Sequence, residues 1–135
     1  MLPDEHLDSL SVDERAAGYE FDSGPLTTVL AAESDGLRGF ITFGEAHEIP
    51  GTGQVYALHV EPTAYRHGTG GALLRHAQDR LRGAGFDEAV LWVVAANERA
   101  RLFYAGQGWS PDGAKTRQRI GGRLVDEVRY RKRAV

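Results

Sequence analysis

The chain contains no cysteine. That excludes disulfides, thiolate nucleophiles and cysteine-held zinc. Lysine is almost absent as well: of sixteen basic residues, only Lys115 and Lys132 are lysines. With neither a lysine-rich face nor an array of stacking aromatics, the sequence gives no support for nucleic-acid binding. No apolar run approaches the roughly 18 residues of a membrane-spanning helix. The start, Met1-Leu2-Pro3-Asp4-Glu5, is acidic and interrupted, whereas a secretory signal is basic and then apolar. No repeat, low-complexity tract or Pro/Ser-rich linker marks a boundary. What remains is a cytoplasmic globular chain of 135 residues, 41% hydrophobic and 26% charged. It reads as one domain over residues 1–135, with no membrane or nucleic-acid partner.

Charge is unevenly distributed. Residues 1–61 carry twelve acids and two bases, Arg15 and Arg38, whereas residues 62–135 carry seven acids and fourteen bases. Either the two halves neutralise each other on folding, or the basic half attracts an anion.

The residue periodicities predict an α+β order. Residues 4–18 are polar, with Leu7, Leu10 and Ala17 at loose helical spacing. Ser11, three residues before Glu14, predicts a capping box for a short helix. Residues 26–33 and 37–45 read as strands around the turn Ser34-Asp35-Gly36. Residues 55–60 are apolar enough for a buried strand. Beyond a glycine-rich turn, Leu74, Ala77, Leu81 and Ala84 mark one face of a helix that stops before Gly85. Residues 89–94 form a continuous apolar run, the pattern of a strand covered on both faces. Strand, helix and strand in this spacing make a βαβ unit with a parallel pair and a right-handed crossover. A short helix over residues 98–105 follows. Residues 116–120, the turn Gly121-Gly122 and residues 124–130 then form a closing hairpin.

The segment Val60-Glu61-Pro62-Thr63-Ala64-Tyr65-Arg66-His67-Gly68-Thr69-Gly70-Gly71-Ala72-Leu73-Leu74 runs from strand through turn into helix. Free N–H groups and the dipole at such a helix start attract an anion, and glycines let it approach the backbone. Two phosphate loops are excluded. The dinucleotide fingerprint needs glycine where Leu73 stands, and a Walker loop needs Gly-Lys-Ser/Thr. A second block, Asn97-Glu98-Arg99-Ala100-Arg101-Leu102-Phe103-Tyr104, follows the buried strand, and Gly108-Trp109 closes it.

Together these blocks resemble the GNAT superfamily of acyl-CoA-dependent N-acetyltransferases. Its members read V-x-P, Q/R-x-x-G-x-G/A and a helix with paired leucines, then N-x-x-A-x-x-x-Y and G-F or G-W. Here Val60, Pro62, Gly68, Gly70, Leu73 and Leu74 match the first block. Asn97, Ala100, Tyr104, Gly108 and Trp109 match the second. The likeness covers residues 26–130.

The resemblance implies a mixed, mostly antiparallel sheet with one parallel βαβ step and helices on both faces. It implies transfer of an acetyl group from acetyl-CoA to a primary amine, by direct attack in a ternary complex. The coenzyme A pyrophosphate would lie on N–H groups of His67, Gly68, Thr69, Gly70 and Gly71, beside Tyr65 and Arg66 or Arg75. The pantetheine arm would pair with backbone of Leu58, His59 and Val60 where the parallel strands splay apart. Asn97 and Ala100 would hold that arm, Asn97 being equally able to serve as a helix cap. Tyr104 would protonate the departing thiolate or, alternatively, pack beside Phe103. No metal is implied. A non-catalytic acyl-CoA-binding module is the competing expectation.

Three departures from the pattern stand out. Tyr65 replaces the usual Gln or Arg. Gln54 occupies the position of a glutamate base, and an amide cannot accept a proton at neutral pH. Glu45, His47, Glu48 and His59 are its candidate substitutes. Finally, family members reach a segment like Leu2-Pro3-Asp4-Glu5-His6-Leu7-Asp8 only after a first strand and a long helix, so the resemblance implies either a start upstream of Met1 or a shortened variant that lacks those two elements. A shortened variant would leave the strand at residues 26–33 as an open edge, predicting a homodimer that covers it.

Overall fold

The computed structural model describes residues 11–21, 24–33, 36–62 and 68–135. In chain order the elements are β1 (Ser11–Phe21), β2 (Gly24–Glu33), β3 (Gly36–Glu45), β4 (Gly53–Val60), α1 (Thr69–Gly83), β5 (Glu88–Val94), α2 (Glu98–Gly106), β6 (Ser110–Ile120) and β7 (Arg123–Arg133). The strands form one sheet in the order β1-β2-β3-β4-β5-β7-β6. Among the described residues only β4 and β5 run parallel.

Local chemistry accounts for most of these elements. The tight hairpin between β6 and β7 pairs Ile120 with Arg123, leaving Gly121 and Gly122 at the turn with φ of 57° and 81°. Positive φ at both central residues is what a type I′ turn requires, and glycine adopts it without a Cβ penalty. Both hairpin strands run longer than the sequence predicts. Helix α1 ends as expected at Gly83, with Gly85 at φ 100° just beyond the cap.

One cluster holds the sheet and helices together. Leu73, Leu74, Ala77 and Leu81 of α1 pack with Val29, Ile41, Val55, Leu91, Trp109 and Tyr130, all buried. Each leucine, isoleucine or valine among them contributes about 1.5–3 kcal/mol by leaving water. Ala84, predicted on the same face, is exposed because it lies past the last helical turn. Trp109 Nε1 donates to Gln78 Oε1 at 3.1 Å, tying the segment after α2 to α1. Ala100, Phe103 and Tyr104 of α2 pack on this same cluster. The expectation of helices on both faces is therefore met on one face by the described residues.

The N-terminal expectations change. Residues 11–18, read as a capped helix, lie in strand β1, whose backbone pairs antiparallel with β2 from Ser11↔Ala32 to Phe21↔Gly24. Residues 4–10 lie outside the described part. A neighbouring strand edge supplies a full row of hydrogen-bond partners, which outweighs a weak helical spacing. Strand β2 is consequently not an open edge: β1 covers one side and β3 the other. The edge argument for a homodimer loses its ground at β2.

Close approach of β3 and β4 depends on Gly39. A Cβ built there would stand 2.5 Å from the His59 carbonyl oxygen, a backbone atom that cannot turn aside. Gly39→Ala should cost about 1–3 kcal/mol of unfolding free energy, the range for overpacking. Chemical denaturation checks it: an unshifted midpoint would show that the strands part without penalty.

Candidate active site

The parallel pair holds for three residue pairs only, Gly53↔Ala89, Gln54↔Val90 and Val55↔Leu91. Strand β4 then leaves β5. The cause lies on its other edge, where Thr42 pairs with Ala57 and Phe43 with Val55, leaving Tyr56 as an extra residue. Such a bulge bends the strand that carries it. Strand β5 meanwhile continues on β7 as far as Val94↔Glu127. Between the diverging strands lies a cleft of about 220 Å³. Its walls are residues 55–58 of β4 and 91–94 of β5, together with Asn97, Ala100, Tyr104 and Glu127. Beyond Val55, β4 backbone has no partner in β5 and is open to an extended ligand.

Helix α2 forms one end of the cleft. Asn97 is its cap, with Oδ1 accepting from Ala100 N at 3.1 Å. The alternative roles of Asn97 are thus compatible, because the capping residue also lines the cleft. Seven residues on, Tyr104 lies in an aromatic nest, with ring centroids 5.3 Å from Phe103 and 6.4 Å from Trp109 and Tyr130. Burial pushes its phenol up to about 12, so the hydroxyl stays protonated at neutral pH. A buried phenol of this kind can donate a proton and carries no charge.

The start of α1 lies beside α2 and the end of β4. Gly68 caps it at φ 80°, no side chain closes the cap, and no acid occupies the first turn. The first N–H groups of a helix lack partners within it. Thr69 is fully buried, and among the described residues its Oγ1 has no hydrogen-bond partner. Free N–H groups at the start of a helix attract an anion. Arg75 brings a guanidinium nitrogen within 3.1 Å of the point where a Cβ on Gly71 would stand. Gly70 faces inward: a Cβ there would lie 3.3 Å from Phe103 and 3.4 Å from Val60. Its bareness serves helix–strand packing, where the sequence suggests phosphate approach.

The residues singled out from sequence therefore separate into groups. Leu58, Asn97, Ala100 and Tyr104 meet in the cleft. Gly68, Thr69, Gly70 and Gly71 open α1. Val60 packs toward Gly70, and His59 points to the other side of the strand, tilted against Phe40 at 5.7 Å with Nε2 3.3 Å from Glu61. Tyr65, Arg66 and His67 lie outside the described residues. Gln54 is buried at the last parallel pairs. Of its candidate substitutes, Glu45 accepts from Gly51 N at 2.9 Å. His47 stacks on Tyr56 and pairs with its hydroxyl at 3.3 Å. Glu48 stands 3.7 Å from His47. Tyr56, Trp92 and Glu127 of the cleft went unmarked by sequence motifs, since strand pairing alone brings them there.

Comparison with known proteins follows the same lines. Residues 2–109 match the model of the acetyltransferase (GNAT) family. A mycothiol acetyltransferase of Beutenbergia cavernae is 43% identical over 60 residues, 44% of this chain and 20% of that protein. A mycothiol acetyltransferase of Nocardioides sp. is 29% identical over 115 residues, 77% of this chain and 39% of that one. The chain thus spans a fifth to two fifths of the length of these curated relatives. Among solved structures, nourseothricin acetyltransferase superposes with a TM-score of 0.74 at 21% identity, covering 94% of this chain and 85% of its own. PaiA N-acetyltransferase of Thermoplasma acidophilum, solved in complex with coenzyme A, gives 0.65 at 20% identity, with 80% and 60% coverage. These two likenesses carry the fold. No helix among the described residues is long and apolar enough to cross a membrane. With its family model matched over most of its length, the chain belongs to the acetyltransferase (GNAT) family.

Proposed function

We propose that the chain is an N-acetyltransferase domain over residues 1–135 that moves an acetyl group from acetyl-CoA to a primary amine within a ternary complex. The observation that carries this reading is the register of β4 and β5, which ends at Val55 and opens a cleft toward Tyr104. The fit to coenzyme A rests on the uncapped start of α1 and the free β4 backbone. Acetyl-CoA supplies the activated acetyl group and the sulfur leaving group.

Each residue then has a physical task. The N–H groups at the start of α1, Gly68 to Gly71, take the pyrophosphate, and Arg75 adds charge from the next turn. Backbone of Leu58, His59 and Val60 hydrogen-bonds the pantetheine arm as a missing strand would, and its N–H groups stabilise the oxyanion. Asn97 and Ala100 border that arm from the helix side. Tyr104 delivers the proton that the sulfur needs. Tyr65, Arg66 and His67 belong to the pyrophosphate loop in this reading. The acceptor comes to the open side of the cleft, near Tyr56.

Two broader features belong to the proposal. The protein works in the cytoplasm. It pairs with a second copy through an edge of the sheet, β1 being an edge strand among the described residues, because a sheet edge is an open pairing site.

Mass spectrometry of the purified protein with acetyl-CoA and a panel of primary amines tests the reading. Acetylated amine and free coenzyme A are expected in equal amounts. Coenzyme A binding without acetylation of any amine, or of the protein itself, would favour a binding module instead.

A further inference from the structure

On the sheet face away from both helices the cleft ends at a carboxylate. Glu127 of β7 stands opposite Val94 of β5 and borders the cleft together with Tyr56, Trp92 and Tyr104. Strand alternation turns it away from its neighbour Val128, which packs on the core beneath the helices. Tyr104 and Glu127 thus approach one cleft from opposite faces. Glu127 Oε1 accepts from Gln118 Nε2 at 2.7 Å, and among the described residues Oε2 accepts nothing.

No described cation neutralises this group. Arg129, two residues along the same face, donates to Asp112 at 2.7 Å and lies over the Trp92 ring at 5.7 Å. Arg131 is divided between Asp112 and Glu88, at 3.2 and 2.8 Å. Each of these arginines already has its own carboxylate. The Glu127 charge is therefore open to a ligand, beside the Tyr104 phenol that lines the same cleft.

Resting on the acetyltransferase reading, we propose that Glu127 selects the acceptor by pairing with a cationic group on it. The paired group is not the reacting nitrogen. A carboxylate in contact with that nitrogen would hold it protonated, and a protonated amine has no lone pair for attack. The acceptor is accordingly an amine bearing a second positive charge, held by Glu127 while the neutral amine reaches the cleft. Of the two protons that an ammonium sheds on becoming an amide, one leaves with the thiol and one goes to solvent. Glu127 carries neither.

Equilibrium binding in the presence of coenzyme A tests this with three four-carbon probes: putrescine, its amino-alcohol analogue and γ-aminobutyrate. The native protein should prefer putrescine to the amino alcohol by about tenfold, the value of one charged contact, and bind γ-aminobutyrate least. Glu127→Gln should remove the preference. Glu127→Lys should reverse the order and favour γ-aminobutyrate, an outcome that mere loss of folding cannot give. An order that survives Glu127→Gln, or putrescine bound equally well by Glu127→Lys, would overturn the proposal. Binding is read without turnover, so the two readings fail separately. A protein that ranks the probes through Glu127 but acetylates none keeps this pairing and refutes transfer. One that acetylates all three equally refutes the pairing alone.

Discussion

Replacing Tyr104 with phenylalanine should lower turnover by about 10²–10⁴-fold, the usual worth of a positioned proton donor, with acetyl-CoA affinity nearly intact. The substitution removes one oxygen and keeps the ring, so the contacts with Phe103, Trp109 and Tyr130 survive. Burial holds the phenol up to about 12, so the donor is loaded at every physiological pH. A thiol ordinarily ionises at about 8.5, making transfer from such a phenol uphill in water. In a dry cleft the thiolate is desolvated too, which raises its own proton affinity and narrows that gap. The same burial predicts a stability signature. The Tyr104 value exceeds the ordinary 10.0, so its contribution is fully present below pH 10 and is lost as the pH rises toward about 12. The phenylalanine variant lacks that loss and should resist alkaline unfolding better than the native chain. Steady-state kinetics and alkaline unfolding decide the matter together. Equal turnover in both proteins would mean that Tyr104 only packs.

Gly70→Glu should weaken coenzyme A binding by at least about tenfold, because two effects act in one direction. A carboxylate in the first turn of α1 places negative charge beside the helix-start N–H groups, where no acid now stands. Its Cβ also meets Phe103 at 3.3 Å and Val60 at 3.4 Å, a contact tight enough that the neighbours must yield. Gly70→Ala separates the terms, since it adds the contact without the charge. Calorimetry should show a small loss for alanine and a large one for glutamate. Equal affinity in the native and glutamate proteins would remove the pyrophosphate from this helix start. Equal losses in the two variants would assign the effect to packing of α1 on α2 and β4.

Much of this protein is set locally. The Gly121-Gly122 hairpin, helix α1 with its stop before Gly85, and α2 behind Asn97 each depend on residues a few positions apart. Backbone conformation, caps and helical spacing are short-range matters, so the sequence displays them openly. The same holds for the cleft residues on α2. Asn97, Ala100 and Tyr104 are three, four and seven residues apart, which one helix keeps together.

Pairing between distant strands decided the rest. Residues 11–18 have a faint helical spacing, yet the free edge of β2 offers a row of hydrogen bonds that an isolated short helix cannot match. The bulge at Tyr56 is a mismatch between β3 and β4, and a mismatch belongs to neither strand by itself. It is this bulge that ends the parallel pairing at Val55 and opens the cleft. Glu127 reaches that cleft because β7 lies antiparallel to β5 with Val94 opposite it, a juxtaposition of residues 33 positions apart. The sequence alone determined the family motifs, the turns and the helices. Which backbone groups were left without partners, and which carboxylate came to face them, only the register of the assembled sheet could decide.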